Sequence, residues 1–297
     1  MSAPSTPTGA RRPVIVLGAP RSGTSLLCDV LESHPDVLVL REPRLVWRFG
    51  NDSRSDQLRP EHARSEVVEH IHAHFSAALR ERGVEQLVEK TPANSVRPLF
   101  VDAVFPDARY VHITRNGWAA VPSIRDFSTR RGSGLDGRQV RKLRRRLREA
   151  SPSQVAHYVP ELARRLAGPG GRRPALYGPR LAGLAPIAEE LGGLEAAALQ
   201  WRTCVDSATT FGRALSPDRY LEVRLERLDR ETIVTVLEFC GLAVVDDVLE
   251  HFQAAYSPEA GLKRSALTDL EQAVIAPYVS PANVWLGYDE PSLVSAG

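Results

Sequence analysis

The stretch "PVIVLGAPRSGTSLLCDVLESHP", residues 13–35, constrains the fold more than any other part of the chain. Its aliphatic run, Val14 to Leu17, shows no polar alternation, which suits a strand covered on both faces. The run ends at Gly18, and helical periodicity then extends from Thr24 to a stop at Pro35. A strand, a glycine turn and a helix, in that order, give a G-x-x-x-x-G loop the setting in which it binds phosphate. Unpaired amides at the helix start and the helix dipole both favour an anion there. Ser22, Gly23, Thr24 and Ser25 stand where those amides fall. The lysine of G-x-x-x-x-G-K-[ST] is missing: Thr24 takes its place, and Arg21 precedes it by three residues. The loop is therefore expected to bind an anion, and the missing lysine raises the question of which nucleotide needs the cradle without it.

The alternation continues. Residues 37–40, 86–90 and 108–116 read as strands, and 65–82 and "SVRPLFVDAVFP" as helices, with Pro98 near the first turn of the latter. Strands alternating with helices imply an α/β fold, a mostly parallel sheet flanked on both faces. From 127 to 215 the strand signal disappears into arginine, alanine and leucine, which reads as a helical insertion shaping an acceptor site. A returning strand is expected over 219–228, with helices in "ETIVTVLEFCGL" and "DDVLEHFQAAY" after it. The expected organisation is a disordered tail, 1–12, and a single domain over 13–297.

Basic and acidic side chains number 38 and 36, a net charge of +2, which gives no global reason to expect a nucleic acid or an anionic membrane as partner. The start "MSAPSTPTGARRP" lacks the apolar core of a secretion signal, and no apolar run approaches the roughly 20 residues of a membrane span. The expectation is a cytoplasmic protein, and the arginine- and alanine-rich composition suggests a bacterial one. Cys28, Cys204 and Cys240 lie far apart among apolar neighbours and read as core residues rather than metal ligands. The basic run 138–149 reads as a solvated helix over part of the acceptor cleft.

"GAPRSGTSLL" resembles the 5′-phosphosulfate loop of sulfotransferases that use 3′-phosphoadenosine 5′-phosphosulfate, most closely the branch with tyrosylprotein, carbohydrate and many bacterial enzymes. "HPDVLVLREPRL", "VEKTP" and "RYVHITRNGWAAVPSI" extend the likeness in register over most of 13–125. It resumes weakly at "YLEVRLERL" and "LGYD". The resemblance implies a P-loop-type fold and a donor whose product is adenosine 3′,5′-bisphosphate. It also implies a 3′-phosphate site at Arg115 and, eight positions on, Ser123. Such a nucleotide has no γ-phosphate, which accounts for the missing lysine.

In sulfuryl transfer the protein positions the reactants and neutralises the departing phosphate, as in phosphoryl transfer. Arg21, Lys90 and the loop amides are the candidates for that neutralisation. Glu42, matching the family's catalytic glutamate, is the candidate base; His34 and His112 are its rivals. Glu89 is expected to orient Lys90, and because a lysine beside a divalent cation is unfavourable the site reads as metal-free. Lys263 and Arg264, in a segment that resembles one returning over the nucleotide, are candidates for phosphate or adenine binding. The acceptor is expected to be a small molecule bearing a hydroxyl or amine. The rival readings are a magnesium-dependent P-loop kinase and a nucleotide-binding module without chemistry.

Overall fold

The computed structural model describes residues 11–131, 154, 177–257 and 267–288. Five strands form one parallel sheet in the order β2-β3-β1-β4-β5: β1 (Val14–Leu17), β2 (Val37–Arg41), β3 (Gln86–Lys90), β4 (Arg109–Thr114) and β5 (Tyr220–Arg224). β1 is central, and the chain runs from it to opposite sides of the sheet. The crevice beyond its carboxyl end is where open α/β sheets bind ligands.

Side chains alternate across a strand, so β1 sends Val14 and Val16 to one face and Ile15 and Leu17 to the other. The first face packs under α1 (Thr24–Glu32), α8 (Arg230–Cys240) and α9 (Asp246–Ala255). The second packs against α2 (Arg44–Arg48), α3 (Ser65–Arg82) and α4 (Pro98–Val104). A third cluster joins α5 (Gly117–Arg131), α7 (Gly193–Arg213) and α10 (Asp269–Leu286) around Trp201, Ile124 and Val279. No helix among the described residues is long and apolar enough to cross a membrane.

In the strandless stretch the regular elements among the described residues are helices: the end of α5, α6 (Leu184–Leu191) and α7. α7 belongs to the core, because Trp201, Cys204 and Val205 are buried against α5 and α10. The basic run 138–149 lies outside the described residues, as do Lys263 and Arg264. The fifth strand stops at Arg224, and residues 225–227 form a 3-10 turn. Its one neighbour, β4, ends at Thr114, the register partner of Arg224, so no ladder remains to extend. Pro122 leaves α5 continuous. All three cysteines are free and buried, and burial raises each thiol, Cys28 and Cys240 to about 12.

Candidate active site

The glycine loop is built around a tight turn. Ser22 donates its N–H to the Ala19 carbonyl at 3.2 Å, with Pro20 second and Arg21 third, at φ 67°. Proline second and a positive φ third are the marks of a type II turn, whose third position normally carries glycine or asparagine. Arg21 is thus held in a backbone well that L-residues avoid, at a cost of about 1–3 kcal/mol. A Cβ on Gly18 would lie 2.7 Å from the Ile113 carbonyl, so the loop and β4 approach backbone to backbone. Ser95 fixes the loop base: its hydroxyl accepts from the Gly18 N–H at 2.8 Å and donates to the Gly18 carbonyl at 3.1 Å.

Gly23, at φ 92°, starts α1, and no side chain caps that end. The first intrahelical bond is Leu27 N–H to the Gly23 carbonyl, so the amides of residues 24–26 precede the ladder. The Ser22 amide is spent in the turn and its side chain is buried, which leaves Gly23, Thr24 and Ser25 as the amide-bearing face. A cleft of about 280 Å³ opens here, lined by Arg21, Gly23, Thr24, Ser25, Lys90 and Arg115 among others.

The second strained residue is Glu42, at φ 55°. Its N–H continues the β2–β3 ladder to the Lys90 carbonyl at 2.8 Å, and Arg44 N–H then returns to the Glu42 carbonyl at 2.7 Å. Pro43, at φ −72° and ψ 65°, is the centre of that inverse γ-turn and ends the strand. The turn aims the carboxylate inward. Arg44 donates to Oε2 at 2.8 Å, while Oε1 makes the longer contacts, to Lys90 Nζ at 3.3 Å and the Tyr177 hydroxyl at 3.4 Å. Lys90 and Tyr177 both line the cleft, so Glu42 stands at its edge behind them.

At the other end of the cleft, Arg115 leaves the last position of the β4 edge and donates to the Arg21 carbonyl at 3.0 Å. Burial depresses its pKa, with Glu226 opposing. Arg21 donates from Nε to the Ser123 hydroxyl at 3.2 Å and lies 5.1 Å from the Phe127 ring centre. The glycine loop and the expected 3′-phosphate pair are therefore contiguous, because the long Arg21 side chain leans onto α5. The start of α5 is held by Asn116, which accepts from Trp118 N–H, and by Asn283, which accepts from Gly117 N–H at 3.0 Å. Tyr288, in "LGYD", donates to Glu226 at 3.0 Å; Glu226 in turn accepts from Asn116 N–H.

Glu89 does not orient Lys90. Adjacent strand residues face opposite sides of a sheet, and Glu89 is fully buried on the other one. There it accepts from Trp47 Nε1 at 2.9 Å, Thr91 Oγ1 at 2.6 Å and Asn94 Nδ2 at 2.8 Å. Burial pushes it up to about 7 against the pull of these donors. The lysine-beside-metal argument therefore loses its footing, since Glu89 and Lys90 share no site. His34 sits between the Ala243 carbonyl and Asp36 N–H, beyond the far end of α1. His112 is buried against the Tyr220 hydroxyl at 2.8 Å and pushed down to about 4 by burial. Neither ring reaches the cleft. Arg41, adjacent in sequence to Glu42, pairs outward with Asp29 and Glu32.

Tyr177 and Phe127 are site residues with no signal in the sequence: Tyr177 falls in an aperiodic glycine- and proline-rich stretch.

A family model described as "Sulfotransferase family" matches residues 13–165, just over half of the chain, and the chain belongs to that family. The nodulation protein NoeE of Sinorhizobium fredii is 29% identical over 126 residues, which are 37% of this chain and 30% of that protein. A protein-tyrosine sulfotransferase of Drosophila melanogaster is 30% identical over 122 residues, 37% of this chain and 24% of that protein. The matches thus span less than a third of these curated relatives. Among solved structures, the sulfotransferase domain of the Synechococcus PCC 7002 olefin synthase superposes with a TM-score of 0.52 at 16% identity, covering 97% of this chain and 99% of that one. The sulfotransferase domain from the curacin biosynthetic pathway gives 0.50 at 13% identity, covering 95% and 100%. Both share the fold: a P-loop-type parallel sheet between layers of helices.

Proposed function

We propose that this chain moves a sulfuryl group from 3′-phosphoadenosine 5′-phosphosulfate to a hydroxyl or amine of a small-molecule acceptor, in line and without a metal. The observation that carries this reading is the meeting of Glu42 Oε1 and Lys90 Nζ at 3.3 Å beside the glycine loop. A carboxylate able to take a proton and an ammonium able to face a departing phosphate then stand at one cleft.

The cradle suits a 5′-phosphate: a Cβ at Gly23 would meet Leu225 Cδ1 at 2.7 Å, so only glycine lets the loop close over that helix start. Gly23, Thr24 and Ser25 amides hold the 5′ end, and Arg115 with Ser123 holds the 3′-phosphate. Lys263 and Arg264, outside the described residues, complete the nucleotide site in this reading. When bound, the donor supplies the activated sulfuryl group. Lys90 and Arg21 neutralise charge on the leaving phosphate; removing one such group costs about 10²–10³ in rate. Glu42 takes the acceptor proton at Oε1, the oxygen with the longer contacts, while the 2.8 Å bond from Arg44 fixes Oε2.

The test is Glu42→Gln, assayed with labelled donor in excess EDTA against panels of small alcohols, amines and tyrosine peptides. The wild type is expected to sulfate a small acceptor with undiminished rate in EDTA. The variant is expected to lose about 10²–10⁴ in kcat while binding adenosine 3′,5′-bisphosphate as before. A magnesium requirement with phosphate transfer would establish the kinase reading. Transfer to tyrosine peptides alone would replace the acceptor class.

A further inference from the structure

Arg115 stands between two residues that distant parts of the chain hold in place. On one side, the Thr114 hydroxyl lies 3.1 Å from the Tyr288 hydroxyl and 3.4 Å from the Val223 carbonyl. On the other, Asn116 donates its N–H to Glu226 Oε1 at 2.9 Å, and its Oδ1 accepts from Asn283 Nδ2 at 3.2 Å. Thr114, Asn116 and Asn283 are all buried. The turn from β4 into α5 is therefore pinned by residues that follow β5 and by the end of α10.

Tyr288 has one proton to give, and it goes to Glu226 Oε2 at 3.0 Å. Toward Thr114 the same oxygen then accepts. Burial, reinforced by the Glu226 charge, pushes the phenol well above its usual range, so it stays a donor at physiological pH. Both Glu226 oxygens are thereby engaged, Oε1 by the Asn116 amide and Oε2 by Tyr288. Glu226 still acts on Arg115 through its charge, which opposes the lowering that burial imposes on the guanidinium. A carboxylate meets the arginine fork as well as a phosphate does, so a Glu226 free to turn would compete for that guanidinium.

We infer that Tyr288 is a positioning residue for the 3′-phosphate: its hydroxyl holds Glu226 back from Arg115 and pins Thr114, which leaves the guanidinium turned to the cleft. The inference rests on the reading that Arg115 takes the 3′-phosphate. Arg115 lines the cleft and Tyr288 does not, so Tyr288 acts through Arg115 and not on the nucleotide.

The test is nucleotide binding by the full chain, measured by calorimetry with adenosine 3′,5′-bisphosphate and with AMP. Tyr288→Phe keeps the ring against Arg224, whose guanidinium carbon lies 5.0 Å from its centre, and removes the hydroxyl. Affinity for the bisphosphate is expected to fall about tenfold, the worth of one hydrogen bond to a charged group, while affinity for AMP stays within about twofold. Retained AMP binding also reports a folded chain with its glycine loop intact. Adding Glu226→Gln removes the competing charge and keeps an oxygen for the Asn116 N–H. The double variant is therefore expected to recover most of the lost bisphosphate affinity, which a merely structural role for the hydroxyl would not produce. Arg115→Ala decides which statement fails. If it leaves the preference for the bisphosphate over AMP unchanged, the 3′-phosphate reading falls and takes this inference with it. If it removes that preference, the inference alone is overturned by any of three results: Tyr288→Phe retains the preference, Tyr288→Phe weakens both nucleotides equally, or the double variant recovers nothing.

Discussion

Replacing Arg115 by alanine separates the two ends of the nucleotide. Arg115 has two jobs in the structure: its guanidinium faces the cleft, and its Nη1 holds the Arg21 carbonyl at 3.0 Å. The second job supports the glycine loop, and losing it costs about 1 kcal/mol, roughly fivefold in affinity for any nucleotide with a 5′-phosphate. The first, in the proposed function, serves the 3′-phosphate. A hydrogen bond between charged groups contributes about 1.5–3 kcal/mol, so its loss costs a further 10- to 150-fold. Calorimetric titration of wild type and variant with adenosine 3′,5′-bisphosphate and with AMP distinguishes the two effects. The bisphosphate is expected to lose the product of both factors and AMP only the smaller one. Equal losses for the two nucleotides would show that Arg115 acts on the loop alone, and the assigned 3′-phosphate site would be wrong.

The remaining expectations concern the scaffold. Gly23→Ala forces a Cβ to 2.7 Å from Leu225 and 3.0 Å from Ile113 at φ 92°. The strain is expected to cost about 1–3 kcal/mol in urea unfolding and to weaken nucleotide binding; an unchanged midpoint would mean that the loop relaxes freely. Glu89, raised from 4.5 to about 7, keeps a proton in the folded chain that the unfolded chain releases between those values. Its contribution to stability therefore falls as pH rises through that window and is flat above it. Glu89→Gln loses an acceptor for three donors and is expected to be destabilised at every pH, but less at pH 8 than at pH 5, by up to about 3 kcal/mol. A difference independent of pH would place the Glu89 carboxyl in its ordinary range.

Much of this was legible because local pattern and tertiary role coincide. Helix 65–82 and strand 86–90 stand where periodicity puts them. The glycine loop could be read because strand, turn and helix are contiguous in sequence. α10 could not: Pro277 and Pro281 interrupt its pattern, yet the helix persists because Ile275, Val279 and Leu286 bury themselves in the third cluster. Tertiary packing outweighs propensity there. Glu89 was misjudged for a simpler reason, since neighbours along a strand never share a face. Arg44 was visible two residues after Glu42, but only the γ-turn at Pro43 shows that it, and not Arg41, turns inward.

Arg21 and Glu42 are the only described non-glycine residues with a positive φ, and they flank the same cleft. A directed-evolution campaign scored on heat resistance alone would drift toward glycine or asparagine at both positions, since either releases stored tension. The hardier proteins so obtained would have surrendered the two side chains to which the proposed function gives the leaving phosphate and the acceptor proton. On the proposed function, robustness and turnover are opposed in this chain at two identifiable peptide units.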